Sequence, residues 1–244
     1  MRDVSSQEKT ELIFKFLNPD RPVSPILQNH EHEGFDLSKV CANSDLIETE
    51  KGLKLSRVPI FIGTMKEFPD GSFPCLQTRL ATQPASFYFV QTLMVLPQTQ
   101  EKEKLLRRQR LAQAMASGNT VRNLLAESQL QDIEDTLTSI ISSGEKLFAT
   151  SSHIIYFGDP DENHSTNKTS FVHLLDECER IGAGCQWFEE TVGAYPTFFG
   201  VLPFGPAFLT RPKRILTSHL SDLLPLFGTG PGHDLSLIHI SEPT

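Results

Sequence analysis

With 244 residues, 39% of them hydrophobic and 21% charged, the chain can bury about 70% of its unfolded surface and lies outside the polar, aromatic-poor range of disordered proteins. A net charge of -8 argues against broad, sequence-independent gripping of a nucleic-acid backbone, which needs a clustered positive field, so no direct nucleic-acid partner is expected. No run approaches the ~20 apolar residues that cross a bilayer, and Met1 to Glu8 lack the apolar core of a secretory signal, so a cytoplasmic location is expected.

Taken in chain order, Glu8 to Leu17 carries a helical pattern. Asn18-Pro19-Asp20-Arg21-Pro22 then forces an exit, because the residue before a proline is driven out of the helical region. Phe35–Val40, Leu46–Thr49, Leu53–Val58 and Ile60–Met65 alternate or cluster apolar residues between turn formers such as Lys51-Gly52 and Asp70-Gly71, and read as short strands. Ser86 to Pro97 is rich in aromatic and β-favouring residues, almost free of charge and ended by proline, which predicts a strand buried on both faces.

Gln100 to Ser117 is full of strong helix formers, and its basic run Lys102 to Arg110, diluted by Glu101 and Glu103, reads as a solvated helix face. After the break at Gly118-Asn119, the residues Val121, Leu124, Leu125, Leu130, Ile133, Leu137, Ile140, Ile141, Leu147 and Phe148 fall on one stripe at helical spacing. Such a helix, if continuous, would extend about 42 Å. Ser151 to Gly158 switches to the period of a strand. A polar loop from Asp161 to Lys168 leads into a helix with Phe171, Leu174, Leu175, Cys178 and Ile181 on its buried face and Gly182 and Gly184 at its end. Cys185 to Glu190 is the following strand.

These alternations predict an α+β fold with a mixed or antiparallel sheet of split βαβ, ferredoxin-like type, helices on one face and a long helical insertion. The expected organisation is an N-terminal helix with short strands over residues 1–70, an α+β domain over 71–228 and a disordered tail over 229–244. The last eleven residues, from Asp234, resemble the translated product of a sequencing adapter, and are set aside in reasoning about the fold.

The chemistry-bearing residues are sparse. Cys41, Cys75, Cys178 and Cys185 show no paired metal spacing and are expected as buried free thiols. His30 and His32 could offer two imidazoles to a metal only from a strand, and Asn29, Glu33 and Gly34 suggest a loop. Asp176, Glu177, Glu179, Glu189 and Glu190 are expected as surface carboxylates, and no G-x-S-x-G elbow is present. The sequons at Asn163 and Asn167 need a secretory route that the N-terminus does not provide. Gly228-Thr229-Gly230-Pro231-Gly232-His233 looks superficially like a phosphate loop, but no Lys-Ser/Thr pair follows and Pro231 removes a backbone donor. No catalytic, cofactor-binding or metal residues are therefore assigned.

Two features remain. The aromatic group Tyr195, Phe198, Phe199, Phe204 and Phe208 has no ligand-specific polar companion and reads as core or as a domain-docking face. Arg211, Lys213 and Arg214 precede an expected amphipathic helix with Ile215, Leu216, Leu220, Leu223 and Leu224 inside, where positive side chains could contact a neighbouring domain or an acidic partner.

The stretch from Tyr195 to Pro206 followed by Arg211 to Gly228, an aromatic Leu-Pro segment and then Thr-Ser-x-Leu-x-Asp-Leu-Leu-Pro-Leu-Phe-Gly, resembles the region just upstream of the nucleotide-binding domain in conjugative-transfer (type IV secretion) ATPases of the TraC and TrbE kind. The resemblance covers about Leu12 to Gly228, is strongest from Glu179 onward, and rests on packing motifs rather than a catalytic signature. It implies a non-catalytic N-terminal portion, cut before the phosphate loop, that docks the motor to the membrane channel and to neighbouring subunits. The intact parent would bind ATP and magnesium and form a homo-oligomer. The partners implied are its own C-terminal ATPase domain and the other channel subunits, at the cytoplasmic side of the inner membrane. The alternatives are a stand-alone α+β interaction module and a small hydrolase with a site built from scattered histidines and carboxylates.

Overall fold

The computed structural model describes residues 6–21, 44–49, 52–69, 71–72, 80, 83, 85–117, 123–182, 184–202 and 210–223. The expected strand over Phe35–Val40, the His30 and His32 pair, Cys41, Cys75, Phe204, Phe208, Leu224, the Gly228 loop and the tail lie outside them.

Helix α1 (Ser6–Leu17) has Glu8 in its first turn and Lys15 in its last, the charge order that suits the helix dipole. It ends where the Asn-Pro step predicts. Asn18 is fully buried there, its Nδ2 and its backbone N–H both donating to Phe14 O at 3.0 and 2.9 Å. Strands β1 (Leu46–Thr49) and β2 (Gly52–Leu55) form a hairpin, and β2 turns through Ser56-Arg57 into β3 (Val58–Glu67). The sequence pattern ran Leu53 through to Val58. The turn intervenes because it sets Leu55 opposite Val58, so that Leu53, Leu55, Val58, Ile60 and Ile62 all enter one core.

Next come β4 (Phe87–Val95), helices α2 (Gln98–Ser117) and α3 (Leu124–Ser142), and β5 (Leu147–Phe157). Helix α4 (His164–Ile181), β6 (Gln186–Glu189), α5 (Ala194–Gly200), β7 (Lys213–Leu216) and α6 (Thr217–Leu223) complete the described chain. The expected long stripe thus divides: α3 stops at Ser142, Gly144 adopts φ +67, and Leu147 and Phe148 belong to a strand. Likewise Ile215 and Leu216, expected inside the helix, belong with Lys213 and Arg214 to a strand.

The protein is α+β, with a seven-stranded sheet whose described ladders are all antiparallel. Its path is β1-β2-β3-β5-β4. Gly63 and Thr64 pair with β5 and also with β6, so β6 lies on the edge of β3 that β2 uses; by the same reasoning Phe148 to Thr150 place β7 on the β3 side of β5. Strands β5 and β6 therefore run parallel with β3 between them and α4 as the crossover, which is a split βαβ unit. The sheet joins strands from before Asp70 to strands after it. Strand β4, expected to be buried on both faces, stands at the end of the order and is only half-buried.

Both faces of the sheet carry helices. On one, α4 sets Phe171, Leu174, Leu175 and Cys178 against Phe61, Met65, Ile154 and Tyr156. On the other, Phe16 of α1 and Phe198 of α5 meet Ile60, Ile62, Ile155 and Phe157, a second helical layer beyond the single one the sequence suggested. Gly63 lets β3 pass directly beneath α4: a Cβ there would sit 2.6 Å from Leu175 Cδ2 and 3.6 Å from Phe171 Cζ. We expect Gly63→Ala to cost about 1–3 kcal/mol through overpacking, read as a lowered urea midpoint with the m-value unchanged.

Helices α2 and α3 pack on each other as an antiparallel hairpin, about 30 Å long by helical rise. Its root is fastened by Gln98, whose amide accepts from Leu147 N at 2.9 Å and donates to Leu147 O at 2.8 Å and to Leu96 O at 2.7 Å. Along their length, each finds its main described helical partner in the other.

Candidate functional site

The centre of β5 is polar. Thr150, Ser151, Ser152 and His153 are all buried in a strand that is otherwise apolar, and the pleat sends His153 to the face shared with α1 and α5. There His153 is 1% exposed, with Nδ1 3.1 Å from Thr64 Oγ1 and Nε2 3.0 Å from Thr210 Oγ1. Thr64 stands opposite His153 in the β3–β5 register. Burial, partly offset by the negative charge of Glu190, pushes the imidazole down from 6.5 to about 4, so it is neutral near pH 7.

Glu190 follows β6 and is 5% exposed. Its carboxyl is held below the usual range first by the hydrogen bond from Arg211, then by that guanidinium's charge, the Gly193 N–H and the Thr64 hydroxyl, which together outweigh desolvation. The Thr64 hydroxyl thus stands between the Glu190 carboxyl, which it helps hold low, and His153 Nδ1, while the Thr210 hydroxyl meets Nε2. A continuous polar chain, Arg211–Glu190–Thr64–His153–Thr210, thus crosses this face and ties residues 210–211 to the sheet centre.

Arg211 makes a bidentate pair with Glu190, Nε to Oε2 at 2.8 Å and Nη2 to Oε1 at 3.0 Å. Its guanidinium also lies 4.8 Å from the centre of the Phe188 ring. The residue holds φ at 51°, in the left-handed region that side chains avoid, which is sustained only where surrounding contacts over-determine it. Arg214 Nε donates to Glu101 Oε2 at 2.6 Å, joining β7 to the first turn of α2. Glu101 is 3% exposed and also accepts from Lys104, and these two cations hold its carboxyl low. Lys213, between the two latched arginines, is exposed and makes no ion pair among the described residues.

The three basic residues singled out in sequence are therefore brought together, but two of them are spent on buried carboxylates. Glu190 is a correction to the sequence reading, which placed it at the surface. Sequence alone marks Glu101 only as a carboxylate that dilutes a basic helix face. The signal that identifies them is distance in space: Glu101 and Arg214 are 113 residues apart. What remains open to a partner is Lys213 and a groove of about 620 Å3 lined by Met65, Lys66, Phe188, Arg211, Pro212 and Lys213. A second cleft of about 720 Å3, edged by Asp20, Tyr156, Asp159, Ser170, His173 and Glu177, opens beyond the end of β5, where Asn167 clamps the Gly158-Asp159 turn.

Of the aromatic group, Phe198 is wholly buried, whereas Tyr195 and Phe199 form a half-exposed pair with ring centres 4.9 Å apart. Cys178 and Cys185 are buried free thiols, as expected; burial pushes both up, Cys178 to about 12, which leaves them unreactive. Among the described residues no three His, Cys, Asp or Glu side chains could hold a metal together, and no helix is long and apolar enough to cross a membrane. His153 and Glu190 do converge, yet they do so in the interior and line neither cleft.

Fold and site together describe an α+β scaffold with buried ionic latches and a projecting helical arm. Compared with family models and with curated proteins, the chain matches none.

Proposed function

We propose that this chain is the non-catalytic N-terminal portion of a type IV secretion, or conjugal DNA-transfer, ATPase, working at the cytoplasmic side of the inner membrane. Its role there is to dock the motor domain to the channel and to neighbouring subunits. The observation that carries this reading is the run from Arg211 through Thr217-Ser218-His219-Leu220-Ser221-Asp222-Leu223 to Gly228, which resembles the segment that leads into the nucleotide-binding domain of those ATPases. The fold is compatible with it. The described part of that run, β7 and α6, is joined to β5 and latched at both arginines, so the segment would hand a following domain a firm attachment. ATP and magnesium would belong to the parent's motor domain, since no glycine loop with a following Lys-Ser/Thr exists in this sequence to hold them.

The reading is tested by the coding DNA beyond Gly228 and by the purified chain. We expect a downstream G-x-x-x-x-G-K-[ST] loop in the same frame, and no magnesium-ATP turnover or calorimetric nucleotide binding by this chain alone. A downstream open reading frame without that loop, or tight nucleotide capture by these residues, would sink it.

A further inference from the structure

The groove of about 620 Å3 beside the Glu190–Arg211 latch lies where two strands give out. Strand β3 ends its ladder with β5 at Thr64, opposite His153, and β7 begins at Lys213, opposite Thr150, both on one edge of β5. Between them Ser151 and Ser152 have no ladder partner on that edge among the described residues, and their buried hydroxyls have no hydrogen-bond partner there either. A shift in the β3–β6 register between Met65 and Glu67 falls at the same place, as bulges do where a strand re-aims its side chains. The walls therefore come from separate parts of the chain: Met65 and Lys66 from β3, Phe188 from β6, and Arg211, Pro212 and Lys213 from the entry to β7.

Much of its positive charge is unspent. Lys213 makes no ion pair among the described residues, and Lys66 reaches Glu67 only at 3.9 Å with both side chains more than half exposed, a contact worth little in water. Arg211 gives Nε and Nη2 to Glu190, which leaves Nη1 without a carboxylate among the described residues. Its left-handed backbone just ahead of Pro212 holds the guanidinium over the Phe188 ring. Met65, Phe188 and Pro212 add an apolar surface between these cations, so the groove offers contact area to a ring or an aliphatic side chain and ammonium groups to carboxylates on either side of it.

We propose that this groove binds a short acidic peptide segment of another protein, with an aromatic or aliphatic side chain seated against Met65, Phe188 and Pro212 and its carboxylates on Lys66, Lys213 and the free edge of Arg211. The volume falls within the range of roughly 300–1,000 Å3 usual for ligand pockets. Charge selects the class of occupant. A nucleic-acid strand follows a long basic path, whereas this groove holds three cations, with Glu67 beside Lys66 and Glu189 beside Phe188 in the chain, on a protein of net charge -8. A segment with two or three carboxylates around one apolar residue matches that supply, and a concave wall takes a projecting side chain rather than a flat bilayer. The inference stands on the groove alone and does not depend on the transport reading.

The test is fluorescence anisotropy of labelled peptides titrated with the full chain. A peptide with the core Asp-Glu-Phe-Glu-Asp should bind saturably, and more weakly as salt rises. Its neutral counterpart Asn-Gln-Phe-Gln-Asn and its ring-less counterpart Asp-Glu-Ser-Glu-Asp should each bind about tenfold more weakly or worse. Lys66→Glu/Lys213→Glu, at two exposed positions and checked for unchanged circular dichroism, should cost the first peptide about tenfold or more, whereas Arg107→Ala/Arg108→Ala, which removes exposed cations from α2, should leave its affinity unchanged. No saturable binding, an affinity that the lysine reversals leave unmoved or that the α2 variant lowers equally, or tighter binding of a labelled oligothymidylate than of the peptide would each overturn the proposal.

Discussion

Replacing Phe16 by alanine should destabilise the protein by about 3–5 kcal/mol, the usual cost of emptying a fully buried aromatic site. Phe16 has no exposed surface. It stacks on Phe198 at 5.3 Å between ring centres, meets Phe157 edge-on at 5.8 Å and lies 5.2 Å from Tyr88. These contacts join α1, α5, β4 and β5, so no single neighbour can relax into the space without leaving another wall bare. The check is thermal unfolding followed by circular dichroism, where a loss of this size should lower Tm by about 10 °C. Leu12, which is 36% exposed on the same helix, is the control, and Leu12→Ala should move Tm far less. Equal effects from the two substitutions would mean that α1 is not seated by Phe16.

Acidification should weaken the fold in a defined window. His153 titrates near 6.5 when unfolded and at about 4 in the folded chain, so between those values the unfolded state binds a proton that the folded state refuses. Stability is therefore fully present above about pH 6.5 and is lost as the pH falls toward 4, by on the order of 3 kcal/mol in total. The groups facing this imidazole are Thr64, Thr210 and the Glu190–Arg211 pair. Glu190 and Glu101, whose carboxyls are held low, act in the same direction further down, adding stability above their unfolded values that disappears as each is protonated. Urea midpoints measured from pH 7.5 to 4.5 should fall steadily below 6.5. In His153→Gln, which has no proton to gain, the same series should be flatter over that window even though the starting stability is lower. A slope that the substitution leaves unchanged would assign the acid sensitivity elsewhere.

The sheet's antiparallel character, its split βαβ unit and the buried face of α4 were legible in the residues themselves. Phe171, Leu174, Leu175, Cys178 and Ile181 repeat at helical spacing and all meet the sheet. Other elements misled for physical reasons. Leu147 and Phe148 stand seven residues after Ile140 and Ile141, so a strand start happened to keep the helical period, and only the turn at Gly144 breaks it. The charge-free aromatic run of β4 predicts burial on both faces, but the strand is half-buried and Val95 is 71% exposed at its far end, because aromatic composition reports strand-forming tendency without reporting position in the sheet. The latches were hidden more completely. Nothing local distinguishes Glu190 from its neighbour Glu189, although one is sealed against Arg211 and the other pairs at the surface with Lys168 at 2.9 Å. Which carboxylate faces inward depends on the β3–β6 register, a property of the folded sheet.

The Gln98 side chain does at the root of the arm what a peptide group does in a ladder, giving to and taking from the same residue of β5. It adds in effect one more rung beyond Val95, after which α2 departs. A joint made this way resists twisting, because both hydrogen bonds would have to break together before the helix could swivel about the sheet edge. The arm is consequently a lever rather than a tether. The Gln98 hydrogen bonds and the Glu101–Arg214 contact at the same root together tie the arm to the β4–β5 pair and to β7.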